Sequence, residues 1–334
     1  MASLSPDQVA GYLERISLPA QARAWLREGP DGPHALEALT QLQQHHMAAV
    51  PFDNLELHYS THNGTLPQET DLVYETVVTR RRGGTCPQVH QLFAKLLRAL
   101  GFTAYCTGAR LNAPASPAAD PSLVDKSKVV YGPWVHVATL VHLPPQTTPS
   151  SSCWYLIDTN TGPFGTPYPL PLLHNQPTTC HDMAPRQRRM LHGPVPNNMT
   201  ADPHQPWWRM QLREDTKSEW MDVCCFVEAE WKPVDFQIMI AGLGTLGAGW
   251  FQARVVCYRV ILEAGVPVGY LMAWQDELRR WYKGKMEVVQ RFYCEADRVA
   301  ALEEEFGVVL TLEEQGAIVG RETELADVGG EFYG

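Results

Sequence analysis

The first hundred residues place apolar side chains at the period of helices. Val9, Tyr12, Leu13 and Ile16 fall at i, i+3, i+4 and i+7, one apolar stripe. Ser5-Pro6-Asp7-Gln8 before them has the Ser-x-x-Gln form of a capping box, with Pro at the first helical position. A second helix is predicted to begin near Pro33, to carry Leu36, Leu39 and Leu42 on one face, and to stop before Pro51. The third is the clearest: Val89, Leu92, Phe93, Leu96, Leu97 and Leu100 follow the helical spacing over three turns. Gly101 stands where a left-handed cap closes such a helix. Pro87 fits the first helical position, which makes Cys86 the predicted N-cap.

Beyond residue 101 the pattern changes to strands. Phe102 to Leu111, Trp134 to Leu143 and Cys153 to Ile157 are short apolar or β-branched runs separated by turn residues. Between the first two lies a Pro-, Ala- and Ser-rich insertion, and loops of that length inside a domain tend to be functional or disordered. The proline-rich stretch from Pro167 to His204 reads as loops, and Trp207 to Leu212 as a closing strand. Arg254 to Leu262 and Val266 to Ala273 form a predicted hairpin around Glu263-Ala264-Gly265. Met286 to Tyr293 reads as a strand, and Val299, Leu302 and Phe306 mark a last amphipathic helix.

Composition narrows the function classes. The 334 residues are 45% hydrophobic and 19% charged, ordinary values for a soluble globular protein. The N-terminus has no basic segment followed by an apolar stretch, and no run approaches the roughly 20 apolar residues of a membrane helix, so a soluble, cytoplasmic protein is expected. A net charge of −10 argues against a broad nucleic-acid surface. Arg186-Gln187-Arg188-Arg189 is a local basic cluster, read as a solvated loop. The cysteines at 86, 106, 153, 180, 224, 225, 257 and 294 include no C-x-x-C pair and no zinc spacing, so most are read as small buried side chains and no metal is expected.

Cys86 differs from the rest. A reactive cysteine needs its thiolate stabilised, and a helix N-terminus offers unpaired amides and the positive end of the helix dipole. Gly83 and Gly84 before it permit a tight turn and close approach of a bulky ligand. A base is the next requirement. His136 lies in Trp134-Val135-His136-Val137, an apolar strand where a neutral imidazole needs hydrogen bonds; His142 on the same strand competes with it. Asp158 ends the strand Trp154 to Ile157, where a polar side chain leaves the sheet rim, and a turn-initiating role competes there. Periodicity alone does not pair the three.

These residues also carry a family resemblance. RGGTCPQVHQLFAKLLRALGF resembles the active-site signature of arylamine N-acetyltransferases, in which Arg-Gly-Gly-x-Cys holds the catalytic cysteine. VPFDNLELH is similar to that family's Pro-Phe-Glu-Asn-Leu motif, WVHVATLV and WYLIDTNTG stand where it has its catalytic His and Asp, and YLERI resembles its start. The family, here in a eukaryotic, fungal-like form, is akin to papain-like and transglutaminase-like enzymes. The resemblance implies an α+β fold in three parts: a helical bundle (1–101) carrying Cys86, a β-barrel (102–215) carrying His136 and Asp158, and an α/β lid with a tail (216–334).

By the same resemblance Cys86 is the nucleophile, His136 its base and Asp158 the group orienting that base. Arg82 and Asp53 match a buried ion pair near the nucleophile, with Asp in place of the usual Glu. Phe52, Thr161 and Gly162 match positions about the acceptor pocket, Thr161 standing where the family has Phe. The implied reaction is ping-pong acyl transfer from acyl-coenzyme A, a co-substrate rather than a bound cofactor, to a small aromatic amine or hydrazine, in xenobiotic detoxification. Acetyl is the family default, with malonyl or propionyl open. Arg186 to Arg189, or Lys126 and Lys128, are candidate contacts for coenzyme phosphates, ranked below a solvated-loop reading. The rival readings are a Cys-His-Asp hydrolase or transglutaminase-like enzyme, and a non-catalytic binding module of the same fold.

Overall fold

The helices pack first and local chemistry sets their bounds. α1 (Pro6–Arg15) starts at the predicted capping box: the Gln8 N–H donates to Ser5 Oγ at 3.2 Å and the Ser5 N–H to Gln8 Oε1 at 2.9 Å. α2 (Ala20–Glu28) escaped prediction because it buries only Ala22 and Leu26, too few to print a stripe. In α3 (Ala35–Ala49) the buried apolar residues include Ala35, Ala38, Leu39 and Leu42. Leu36, expected on that face, lies a residue off its phase and is exposed. α4 (Thr70–Tyr74) runs into a π-turn, and α5 (Cys86–Ala99) follows. Tyr12, Leu39, Leu42, Phe93, Leu96 and Leu97 close one apolar core between these helices. Gly101 takes the left-handed conformation expected after α5, at φ +92°.

The computed structural model describes residues 3–60, 66–115, 125, 128–144, 154–174, 176–178, 182–196, 198–199, 202, 204–245 and 250–325. Cys153, Cys180, Lys126 and most of the 116–127 insertion lie outside them. In chain order the strands are β1 (Phe52–Asp53), β2 (Thr103–Asn112), β3 (Tyr131–His142), β4 (Trp154–Ile157), β5 (Leu170–Pro171), β6 (Gln176–Thr178), β7 (Gln187–Gly193), β8 (Trp207–Arg213) and β9 (Met221–Phe226). After α6 (Pro233–Thr245) and α7 (Trp250–Ala253) come β10 (Val256–Glu263), β11 (Val266–Trp274), β12 (Glu277–Tyr282) and β13 (Lys285–Arg291), then α8 (Glu295–Phe306) and α9 (Leu312–Gly316).

β2 to β9 form one antiparallel eight-stranded sheet in the order β5-β4-β3-β2-β9-β8-β7-β6. Its inner face gathers Ala109, Leu140, Leu156, Leu170, Met190, Met210 and Cys224 from strands across the whole sheet into one core, so the sheet curls into a nearly closed barrel. The second sheet runs β1-β10-β11-β12-β13, again antiparallel. The predicted hairpin is its centre. Ala264 and Gly265 turn it at φ +49° and +79°, both left-handed, as a tight two-residue hairpin turn requires. Leu55 and Tyr59 pack beneath this sheet with Leu302, Phe306 and Ile318, so an early segment contributes to the core of the C-terminal layer. Among the described residues no helix is long and apolar enough to cross a membrane.

The stretch from Pro167 to His204 holds β5, β6 and β7 as well as loops, and β7 corrects the reading of Arg186 to Arg189 as a solvated loop. Arg188 is fully buried, with its Nε 2.7 Å from Asp182 Oδ2 and its Nη atoms donating to the carbonyls of Phe164 and Gly165 at 2.8 Å. Arg186 ion-pairs with Glu214 at 2.9 Å and lies 4.3 Å over the Trp281 ring, tying the two sheets together. Arg189 is half-buried over Trp220. These guanidiniums are internal fasteners. Lys128 is exposed and sits 3.7 Å from Asp125. Replacing Arg188 with Ala leaves Asp182 as an uncompensated buried charge, and a loss of about 3–5 kcal/mol in urea-unfolding free energy is expected.

Candidate active site

The site forms where the N-terminus of α5 meets β3. Thr85, not Cys86, is the N-cap: it is extended (φ −75°, ψ 162°), and its N–H and hydroxyl both donate to Gln88 Oε1, at 3.1 and 2.9 Å. Cys86 is therefore the first helical residue. It remains in the first turn, where unpaired amides and the helix dipole favour negative charge. Its sulfur lies 3.7 Å from the Val135 carbonyl, one residue before His136, and is hydrogen-bonded to the His136 ring.

His136 sits on β3 opposite Ala109, and Asp158 directly follows β4, whose Ile157 pairs with Thr139 of β3. The register thus brings the two side chains together: His136 Nε2 stands 3.1 Å from Asp158 Oδ2. Cys86, His136 and Asp158 are 2%, 1% and 0% exposed, so the set is shielded from bulk water. Burial alone would lower the His136 pKa, but the Asp158 charge, its hydrogen bond and that of Cys86 outweigh it and push the imidazolium up to about 10. For Asp158, burial raises the pKa, and the charge and hydrogen bond of His136 with the hydrogen bond of His90 bring it below the usual carboxylate range. Nε2 of His136 being taken, Nδ1 is the nitrogen left for the sulfur. Such an arrangement can hold a thiolate beside an imidazolium and later take a proton from an incoming nucleophile.

Three neighbours were not singled out from the sequence in these roles. His90 lies four residues after Cys86, one turn along α5, with Nδ1 2.8 Å from Thr139 Oγ1 and Nε2 3.7 Å from Asp158 Oδ1. Burial lowers its pKa, so of the two imidazoles about one carboxylate His136 carries the charge. Thr161, matched to a position about the acceptor pocket, is buried, its hydroxyl donating to Asp158 Oδ1 at 2.5 Å and lying 2.9 Å from His136 Nε2. A short hydroxyl at this place bonds inward, where a larger ring would project. Asn160 donates from Nδ2 to the Gly84 carbonyl at 3.1 Å, linking the Asp158 turn to the segment before Cys86. The i+4 spacing of His90 was a usable signal for a helix face; nothing local marked Asn160.

Other expectations fall as follows. His142 lies at the far end of β3, opposite Trp154 and Thr103, with its ring 5.1 Å from that of Trp154, and does not join Cys86. Arg82 and Asp53 do not make the expected direct ion pair. The Asp53 carboxylate accepts the N–H of Leu55 at 3.0 Å and of Gly83 at 3.1 Å, a task suited to its short arm. Arg82 pairs instead with Glu314 at 2.8 Å and Glu56 at 3.8 Å. Burial, offset by Arg82 and these amides, leaves the Asp53 pKa raised to about 6. Phe52 is 3% exposed and packs with Met47, Val256 and Tyr258, bridging to Gly84 by backbone pairing. Gly162 is buried with φ +56°. The need for glycine at 83 is internal: a Cβ there would stand 1.9 Å from the Pro51 carbonyl oxygen, so the close approach is by the chain's own backbone.

A family model described as N-acetyltransferase matches residues 35–130, which include Cys86 and the segment before it. The N-malonyltransferase FDB2 of Fusarium pseudograminearum is 29% identical over 94% of this chain and 92% of its own length. The pineal gland arylamine N-acetyltransferase isozyme NAT-3 of Gallus gallus is 36% identical over 26% of this chain and 28% of its own. In structure, the arylamine N-acetyltransferase of Mycobacterium abscessus superposes with a TM-score of 0.72 over 95% of both chains at 20% identity. The chain resembles the arylamine N-acetyltransferases in sequence around Cys86 and in fold over nearly its whole length. It has that family's α+β fold of helices, nearly closed barrel and further sheet, and with it the family's class of chemistry, acyl transfer. Arylamine N-acetyltransferases take acyl-coenzyme A as co-substrate, and the Mycobacterium marinum enzyme, which matches with a TM-score of 0.70 over 95% of this chain and 99% of its own at 20% identity, is described in complex with coenzyme A.

Proposed function

We propose that this arylamine N-acetyltransferase relative transfers an acyl group from acyl-coenzyme A to a small aromatic amine or hydrazine through an acyl-cysteine at Cys86. The observation carrying this reading is the buried hydrogen-bonded chain from Cys86 through His136 to Asp158. Cys86 thiolate attacks the thioester carbonyl, a C–S bond forms to the enzyme, and coenzyme A leaves as its thiol with the proton from His136. The neutral amine then attacks the acyl-cysteine, His136 takes its proton as general base, and Cys86 is released. Asp158 holds the imidazole in the tautomer both steps need. On this reading, backbone amides at the start of α5 stabilise the developing oxyanion. Phe52 and Gly162 are assigned to the acceptor's side, and a cytoplasmic, detoxifying role belongs to the same proposal.

His90, His136 and Asp158 offer ligand atoms within 4.8 Å of one another, near enough to share a cation. The sulfur on the same imidazole, and the Thr161 hydroxyl closing a hydrogen-bond ring with Asp158, favour proton transfer instead.

For the donor, the near full-length match to an N-malonyltransferase moves malonyl ahead of acetyl. A panel of acetyl-, propionyl- and malonyl-coenzyme A against one arylamine tests donor and reaction class together. The expected result is the highest kcat/KM with malonyl-coenzyme A and an acyl adduct on Cys86 by mass spectrometry. Acetyl turnover equal to malonyl turnover overturns the donor assignment, and acylation by peptide or glutamine donors alone overturns the reaction class.

A further inference from the structure

Two of the three arginines before the nucleophile are bound by a residue from the far end of the chain. Glu314 Oε1 accepts from Arg82 Nη1 at 2.8 Å and from Arg80 Nη2 at 2.8 Å, and its Oε2 from Arg80 Nη2 at 2.9 Å. The same side chain is fixed at its base: α9 is capped by Thr311, whose N–H donates to Glu314 Oε2 at 2.8 Å while the Glu314 N–H donates to Thr311 Oγ1 at 3.2 Å. Arg82 is 2% exposed, so its charge needs a close carboxylate, and Glu56 at 3.8 Å is the more distant of its two. Asp53 is also near enough to feel the Arg82 charge, but its oxygens hold the N–H groups of Leu55 and Gly83. The backbone at Gly83 is closely packed: a Cβ there would stand 1.9 Å from the Pro51 carbonyl oxygen and 2.6 Å from Asp53 Oδ2.

We propose that Glu314 is a positioning residue for acyl transfer. It neutralises Arg82 from outside, which leaves Asp53 to hold the Gly83 N–H and, through Gly83 and Gly84, the amide end of α5 that presents Cys86. Without that charge the buried guanidinium turns to Asp53, takes the carboxylate from the two amides, and releases the turn three residues before the nucleophile. This role rests on Cys86 being the nucleophile.

Glu314→Gln tests it, because glutamine still accepts the Thr311 N–H but carries no charge. The expected result is a labelling rate of Cys86 by iodoacetamide at pH 7 lowered about tenfold, while Thr311→Ala, which weakens only the cap, labels at the rate of the unmodified protein. In an Asp53→Asn background no carboxylate draws Arg82 inward, so adding Glu314→Gln changes labelling by less than about twofold. Wild-type labelling in Glu314→Gln, an equal slowing in Thr311→Ala, or full additivity with Asp53→Asn each overturns the proposal. Iodoacetamide reads the thiol itself, so failure of acyl transfer in the unmodified protein would sink the functional reading and leave this outcome separately readable.

Discussion

Cys86→Ala is expected to lower acyl transfer by about 10⁶-fold, to the uncatalysed background. On the proposed mechanism the Cys86 sulfur is the atom that forms the bond to the acyl group. Cys106, Cys224 and Cys257 are buried, and burial raises each of their pKa values, the opposite of what a nucleophile needs. The change removes one heavy atom from a 2%-exposed site, so its packing cost stays near 1 kcal/mol and the folded protein survives the substitution. His136 keeps its principal partner, since the Asp158 charge raises its pKa more than the sulfur does. Loss of activity with a thermal midpoint lowered by no more than about 2–4 °C therefore isolates the nucleophile. The check is turnover with the preferred acyl-coenzyme A, together with intact-mass detection of an acyl adduct. Residual turnover above about one per cent of the unmodified rate would remove Cys86 from the mechanism.

Much of this arrangement was legible in the sequence, and the parts that were not have physical reasons. The α5 stripe from Val89 to Leu97 printed clearly because the helix buries one whole face, and the β10–β11 hairpin because its turn needs left-handed residues at Ala264-Gly265. β7 was hidden: its arginines look solvated in sequence, yet Arg188 is buried by partners, Asp182, Phe164 and Gly165, that only the folded chain brings near. β9, Met221–Phe226, is buried on both faces and shows no alternation to mark a strand. At the site, His136 and Asp158 were named but could not be paired, because strand register joins them and register is a tertiary property. The error at Arg82 is of the same kind. Its carboxylate partner is a matter of reach, and Glu314 stands 232 positions away in the chain. A motif identified the arginine, and a C-terminal helix supplies its counter-charge.

Asp158→Asn carries the second large effect, about 10⁴-fold in turnover, as for the orienting carboxylate of serine-protease triads. In the unmodified protein burial works against a charged imidazole, and the Asp158 charge and hydrogen bond are the causes that reverse it, raising His136 to about 10. An amide has no charge, and its NH₂ facing Nε2 favours the wrong tautomer. Burial then dominates, His136 is neutral at pH 7, and Cys86 has no imidazolium to stabilise its thiolate. Iodoacetamide labelling of Cys86 at pH 7 should therefore be slower in the variant than in the unmodified protein. Stability supplies a second readout with a definite sign. His136 is raised from 6.5, so the stabilisation it gains from Asp158 is full below pH 6.5 and is lost as pH rises through about 10. Asp158 is lowered from 3.8, so its share is present above that value and is lost as pH falls below it. The thermal midpoint of the unmodified protein should therefore fall toward that of Asp158→Asn between pH 6.5 and about 10. A gap between the two that stays constant over this range would mean that the carboxylate does not charge His136, and the assignment of the pair would fail.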